Sequence, residues 1–377
     1  MGARISLPRT TIAALSICAL APLSNAFELH PKPLSTEVKL AKLNGISFRA
    51  IYPAIEFGVH AFADSTHEAL TRMAYECPMG NLIDCQDEAF DVAPLGVIAG
   101  VRWNDDPPFQ FAKGQGNYAA CKDLIDKRAQ EHKDPPTISF SLSVICWRNH
   151  FNAISKESMA TGAVFNASNA TLLARSHFGD LQFLHAMASR SQESPEETQE
   201  KLLMWAEFMW RVQTHDRTEY LPGTTRMGRI PIQGMSEHFP TQEERSIEQL
   251  FTVGRPWLRR QLGDMAFGSL LHMIQDSFSG GHVQRRIKND DSCGIPQIVR
   301  FHSYTGQDAS AHKQSDKISR ASDKISAGEA PVIDITKQLI QMREDREMNW
   351  PYVRTYLKNC VLRLAPDALM ADTHVDH

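Results

Sequence analysis

The sequence predicts an all-α protein, and three observations carry that reading. Apolar residues recur at helical spacing over several long stretches, capping residues, acids or prolines open a number of them, and only one short run alternates as a strand would. With 42% hydrophobic and 22% charged residues among 377 and no low-complexity tract, there is material for a sizeable core, which excludes a disordered chain.

The chain opens with Arg4 and Arg9, the apolar run Thr11 to Leu20 and the small-residue ending Ser24-Asn25-Ala26, the pattern of a secretion signal cleaved before Phe27. The run is shorter than the roughly 20 residues of a membrane-spanning helix, and no later segment is apolar enough to span. The expectation is a signal peptide over 1–26 and one domain over 27–377, secreted or periplasmic. Phe27 to Phe57, with scattered prolines and no period, reads as an irregular lead-in. Ser65 or Thr66 can cap a helix running to about Ala74. Asp105 to Pro136, polar and rich in Pro and Gly, reads as loop, and Ile138 to Cys146 as the one strand.

Ser194-Pro195-Glu196-Glu197 is a strong helix start, and Leu202, Leu203, Ala206, Met209 and Val212 continue it at helical spacing to about Gln213. Trp205 and Trp210 on this helix read as core. Thr241 to Leu262, Asp264 to Ser277, Lys313 to Ser326, Asp334 to Arg343 and Pro351 to Leu364 read as further helices.

The formal net charge is −4, and removal of the two leader arginines makes it more negative. A duplex nucleic-acid binder would carry a basic stripe, and none is present. Of seven cysteines, Cys18 lies in the leader. The other six, Cys77, Cys85, Cys121, Cys146, Cys293 and Cys360, suit three disulfides in an oxidising compartment, with Cys77–Cys85 and Cys121–Cys146 the local pairings. Their spacings fit no zinc finger.

The chemistry concentrates in Leu270-Leu271-His272-Met273-Ile274-Gln275-Asp276 and the following Ser277-Phe278-Ser279-Gly280-Gly281-His282. Residues four apart share a helix face, so His272 and Asp276 can close on one metal ion while Leu271 and Ile274 turn to the core. The Gly280-Gly281 break lets the chain turn back and deliver His282 to the same side. Imidazole and carboxylate are ligands that catalytic zinc accepts at neutral pH. The other reading of the pair is a buried His272 with Asp276 as its hydrogen-bond partner.

His272, Asp276 and His282 reproduce both spacings of a signature shared by the zinc-dependent phospholipases C and the single-strand-specific fungal and plant nucleases, and the chain resembles that superfamily over about two thirds of its length, more closely on the bacterial phospholipase side. The resemblance implies a multi-helix bundle around a cleft holding three zinc ions. Thr66-His67-Glu68-Ala69 is similar to the family's early helix and would supply His67. Trp103-Asn104-Asp105 is similar to the nuclease-branch Trp-x-Asp and would supply Asp105. Ser176-His177-Phe178-Gly179-Asp180 would supply His177. For the later pair, His312 with Asp316 has helical ligand spacing, while Phe301-His302-Ser303-Tyr304 copies the phospholipase wording; His312 and Asp316 are favoured, because His302 has Gly306 at the partner position. The chain departs from the family in lacking a Trp near Phe27, where an amino-terminal Trp usually binds zinc, a place that Phe27 or His60 would have to fill. It also has longer segments near 106–170 and 186–260, read as insertions forming lids or substrate loops.

The resemblance implies a metal set of His67, Asp105, His177, His272, Asp276, His282, His312 and Asp316, with Asp105 also acting as general base on the attacking water. Arg285 and Arg286 could contact a phosphate, or stand as a solvated pair on a loop. The leading expectation is hydrolysis of phosphatidylcholine-like phospholipids to diacylglycerol and a phosphorylated head group, by a monomer that meets a membrane surface transiently and binds no duplex nucleic acid. The alternatives are a single-strand nuclease or 3′-nucleotidase, and a non-catalytic zinc-binding protein. Asn166-Ala167-Ser168 and Asn169-Ala170-Thr171 match the glycosylation sequon, a short pattern that arises often by chance.

Overall fold

The computed structural model describes residues 42, 66–75, 93–111, 119–131, 136–160, 163–215, 218–287, 293–304 and 331–373. The signal, nearly all of the lead-in, the Lys313 to Ser326 helix, Cys77, Cys85, His60, His312 and Asp316 lie outside the described residues. Within them the protein is mostly helical: α1 (Thr66–Ala74), α2 (Leu95–Val101), α3 (Ala119–Gln130), α4 (Phe140–Ser158), α5 (Leu172–Phe178), α6 (Pro195–Gln213), α7 (Ile247–Thr252), α8 (Leu262–Asp276), α9 (Pro331–Glu344) and α10 (Trp350–Tyr356), with further short helical turns. Two antiparallel pairs accompany them, β1 (Phe109–Gln110) with β2 (Thr137–Ile138) and β3 (Val283–Arg286) with β4 (Gln297–Phe301).

α8 is the axis of the fold. It is apolar nearly all round, so it can only be a core helix, and every residue from Met265 to Asp276 is buried. α6 packs along it, capped by the Ser194 hydroxyl, with Trp205 donating to Ser269 Oγ at 3.1 Å. Trp205 and Trp210 are fully buried, as expected. α2 crosses α8 at a glycine contact: a Cβ on Gly100 would stand 2.0 Å from the Met265 carbonyl, and one on Gly268 2.0 Å from the Val97 carbonyl. Backbone thus meets backbone, which brings the loop after α2 within reach of α8 side chains.

Several sequence expectations need correction. Asp105 to Pro136 is not all loop, since α3 lies within it and is tied to α4 by the Cys121–Cys146 disulfide. Ile138 to Cys146 is strand only at Ile138. The alternation is real, but Phe140, Val144, Trp147, Phe151 and Ile154 also recur at helical spacing, and all of them are buried as α4. Asp106 Oδ1 accepts the Phe140 amide at 2.8 Å at that helix start. Thr241 to Leu262 is broken, because Gly254 takes a left-handed φ of 74° and Pro256 follows; α7 starts afresh at a Ser246/Gln249 capping box. The last helix runs over Trp350–Tyr356 and continues as a π turn, Leu357–Val361, short of Leu364. The β3–β4 pair was not anticipated: Ile298 and Val299 are adjacent apolar residues, buried on both faces, and show no alternation. Cys293–Cys360 joins this hairpin to the end of the last helix. Buried side chains from Ala74 to Ala371 form one contiguous cluster, into which both supposed insertions contribute.

In an open helix Gly→Ala would stabilise by about 1 kcal/mol. Gly268→Ala should instead destabilise the protein by about 1–3 kcal/mol through overpacking, since its methyl meets a carbonyl. Denaturant unfolding checks the sign; a gain in stability would contradict the close crossing.

Candidate metal centre

A group of buried ionisable side chains converges at the C-terminal ends of α2 and α8. His67 projects from α1, Asp105 from the loop after α2, His177 from the end of α5, His272 and Asp276 from α8, and His282 from the turn before β3. One residue that the sequence reading passed over, His185, joins them from the short 3₁₀ turn Gln182–His185. His67 is 14% exposed and the others are all but fully buried.

Asp276 is the hub. Its Oδ1 stands 3.0 Å from His67 Nε2, and its Oδ2 stands 2.9 Å from both His185 Nδ1 and His272 Nε2 and 3.7 Å from His282 Nδ1. His185 Nδ1 and His272 Nε2 are only 3.0 Å apart. Asp105 Oδ1 lies 3.8 Å from each of those two nitrogens. Behind His185, the His177 ring stacks at 4.8 Å.

One nitrogen of each ring is committed to an oxygen that can only accept, and in His282 it is Nδ1, the nitrogen on the Asp276 side. His272 Nδ1 donates to the Val101 carbonyl at 2.7 Å, His185 Nε2 to the Asn104 carbonyl at 3.1 Å, His177 Nε2 to the Asp105 carbonyl at 2.9 Å and His282 Nδ1 to the His185 carbonyl at 2.6 Å. His67 Nδ1 donates to Gln275 Oε1 at 3.1 Å, and the amide nitrogen of Gln275 donates to Thr71 Oγ1 at 2.9 Å. Ring after ring is therefore fixed in one tautomer by an oxygen acceptor, the arrangement that orients metal-binding imidazoles.

This pattern bears on whether a cation fits. With their protons held on carbonyls, His185 Nδ1, His272 Nε2 and Asp276 Oδ2 are three acceptors facing one another at 2.9–3.0 Å. Such a cluster is repulsive until a cation enters, and donors about 2.0–2.1 Å from a tetrahedral zinc would stand roughly 3.3 Å apart. Among the described residues two groups have ligand atoms all within 4.8 Å of one another: His67, His272 and Asp276, and Asp105, His177 and His185. The donor set suits a divalent metal ion.

Electrostatics agree for His272, His177 and His185; without a cation beside it, His67 is instead held protonated against Asp276. Burial, with its neighbouring imidazoles, pushes His272 down to about 3 and holds His177 and His185 below the usual histidine range, so these rings are in the neutral form a metal requires. Burial also opposes charging His67, yet the Asp276 carboxylate, helped by Asp105 and Gln275, raises it to about 10. Asp276 stays ionised well below the ordinary carboxylate range: burial works against its charge, and His282, His272 and His67 outweigh that.

Of the residues the sequence singled out, His67, Asp105, His177, His272, Asp276 and His282 are brought together, with His185 taking the position nearest Asp276 and His272. A signal for His185 existed. It is the only polar residue in Phe183-Leu184-His185-Ala186-Met187-Ala188, so it had to be buried with a partner, and the following Ala186 carries a left-handed φ of 53°. His302 is buried beside His282, whose carbonyl accepts the His302 amide at 2.8 Å. Arg285 and Arg286, the candidate phosphate contacts, both have partners within the protein. The Arg285 guanidinium donates to the Ser277 and Pro296 carbonyls and lies 4.0 Å over the Phe278 ring, while Arg286 pairs with Asp367.

No protein-family model, curated protein or solved structure matches the chain.

Gln275 shares α8 with two donors and orients a third. Gln275→Met should lower metal affinity about 10–100-fold with the fold retained, while Gln275→Glu, which keeps the acceptor oxygen, should restore most of it. Competition against a chromogenic chelator measures both; wild-type affinity in Gln275→Met would remove this role.

Proposed function

We propose that this protein is an exported zinc-dependent phosphodiester hydrolase, acting on phosphatidylcholine-like phospholipids to release diacylglycerol and the phosphorylated head group. The observation that supports it most is the buried meeting of His185, His272 and Asp276, three acceptors within 3.0 Å, enclosed by further imidazoles and a second carboxylate. The resemblance of His272, Asp276 and His282 to the phospholipase C and nuclease signature supplies the reaction class, and more than one zinc ion fits the two donor groups.

Zinc, when bound, supplies Lewis acidity that neutralises phosphoryl oxygens and acidifies water. The chain's residues supply the rest. His67, Asp105, His177, His185, His272, Asp276 and His282 would hold the ions. Asp105, 3.8 Å from two of the central nitrogens and buried, is positioned to take the proton of the attacking water and hold it for the leaving oxygen. Burial excludes bulk water from most of the cluster, and His67, at 14% exposure, marks its more open side.

Between lipid and nucleic acid, the phospholipase-like wording of Ser176-His177-Phe178 and Phe301-His302-Ser303 favours lipid, while Trp103-Asn104-Asp105 keeps the nuclease as the alternative; the Trp103 ring itself is fully buried, stacked on Phe251 at 4.5 Å and on Trp205 at 5.8 Å, so a base would have to stack on another side chain. Export is supported by the disulfides Cys121–Cys146 and Cys293–Cys360. Among the described residues no helix is long and apolar enough to cross a membrane, which suits transient contact with a lipid surface.

The test is phosphocholine release from phosphatidylcholine vesicles by protein lacking residues 1–26, with and without chelator, beside a single-stranded DNA control. Zinc-restored, chelator-sensitive release is the expected result. DNA cleavage alone would transfer the protein to the nuclease reading, and zinc binding without turnover on either would favour a binding protein. Asp105→Asn should keep much of its zinc and lose about 10²–10⁴-fold in turnover. Full activity at unchanged zinc content would take Asp105 out of the chemistry.

A further inference from the structure

Asn104, between Trp103 and Asp105 in the turn after α2, is fully buried, and both ends of its side-chain amide are engaged. Its Nδ2 donates to the Leu184 carbonyl at 2.6 Å and to the Ser269 carbonyl at 3.2 Å, while its Oδ1 accepts the Ser269 hydroxyl at 2.6 Å. The two carbonyls can only accept, which fixes the orientation of the amide. Trp205 completes the chain of bonds: its indole N–H donates to Ser269 Oγ and leaves the hydroxyl proton for Asn104. The backbone carbonyl of Asn104 accepts from His185 Nε2 at 3.1 Å. The Ser176 hydroxyl stands 3.3 Å from that carbonyl and 3.3 Å from the Leu173 carbonyl.

Each of these contacts falls next to a metal donor. Leu184 precedes His185, Ser176 precedes His177, and Asn104 itself precedes Asp105, so all three donors of one group lie one residue from this network. No two of them share a helix. His185 ends a four-residue 3₁₀ turn, His177 lies in the last turn of α5, and Asp105 follows α2. Their mutual distances therefore depend on bonds between segments, and a buried polar network with its members satisfied is directional in a way that apolar packing is not. The other donor group is built differently: His272 and Asp276 share one turn of α8, and Gln275 on the same helix orients His67.

We propose that Asn104 is a positioning residue of the metal centre: its side-chain amide and its own carbonyl together set the distances among Asp105, His177 and His185, so the ion held by that group depends on Asn104 and the ion held by His67, His272 and Asp276 does not. The inference rests on the metal-centre reading. Its own content is a selective dependence of one donor group on a side chain that touches no metal ion.

The experiment loads the whole protein, ¹⁵N-labelled on histidine, with zinc from a chelator buffer. Long-range proton–nitrogen spectra read each group through its own rings, His67 for one and His177 and His185 for the other, assigned with His67→Gln, His177→Gln and His185→Gln. In the wild type both groups should fill, and before loading His185 should carry its proton on Nε2. Asn104→Leu, close in size and without polar side-chain atoms, should weaken the ion at Asp105, His177 and His185 about 10–100-fold and leave the ion at His67 unchanged. Gln275→Met should do the reverse. A loosened fold would weaken both groups together, so opposite selectivity in the two variants separates positioning from instability. Ser269→Ala removes the hydroxyl that Asn104 Oδ1 accepts; it should weaken the same ion selectively but by less, and it decides the matter if Asn104→Leu does not fold.

Wild-type affinity at both groups in Asn104→Leu, or in Ser269→Ala where that variant decides, would overturn the proposal. So would equal weakening of both ions, an Nδ1 proton on His185 in the wild type, or a wild type that binds zinc at His67 and never at His177 and His185. A wild type that takes up no zinc at all would instead sink the metal-centre reading, and the role of Asn104 with it.

Discussion

A carboxylate buried at the end of a core helix is the constraint on which this structure turns. Asp276 is 1% exposed, and an ionised group so far from water is costly unless its charge is matched and its oxygens are occupied. Imidazoles from α1, α8, the 3₁₀ turn and the turn before β3 gather around it, drawing four separate stretches of chain to one point. Those rings need acceptors for their own second nitrogens, and this requirement propagates outward into the backbone.

The end of α2 meets that requirement. A helix leaves its last carbonyls without intrahelical partners, and the chain around Val101 to Asp105 turns its carbonyls to His272, His185 and His177. The arrangement works only if α2 lies directly on α8, which Gly100 and Gly268 permit by removing the side chains that would hold the helices apart. Packing and site are thus one design: the glycine crossing sets the distance, the helix terminus offers the oxygens, and the histidines are fixed as nitrogen donors around Asp276. The turn into the hairpin β3–β4 extends the same logic to His282, whose Nδ1 meets the His185 carbonyl.

Sequence spacing was informative where chemistry and local geometry coincide. His272 and Asp276 are one helical turn apart, and the double glycine foretold the return of His282. The strong helices, α6 with its Ser194 cap and α8, were legible for the same reason. What escaped were features set by tertiary contact. His185 has no spacing relation to the other donors and is placed by a short turn; α4 reads as a strand until the burial of Phe140, Trp147 and Phe151 is known; β3 and β4 are short and covered on both faces. A break at Gly254 and Pro256 was readable in the sequence and was overridden by apolar periodicity on either side of it.

The central claim is that the charge of Asp276 organises a site for metal ions, and metal content measures it most directly. After exhaustive dialysis, elemental mass spectrometry of the purified protein should find two or more zinc ions per chain, matching the two donor groups, and clearly fewer in Asp276→Asn. A wild-type protein without bound metal, or an Asp276→Asn protein with the wild-type complement, would contradict the account.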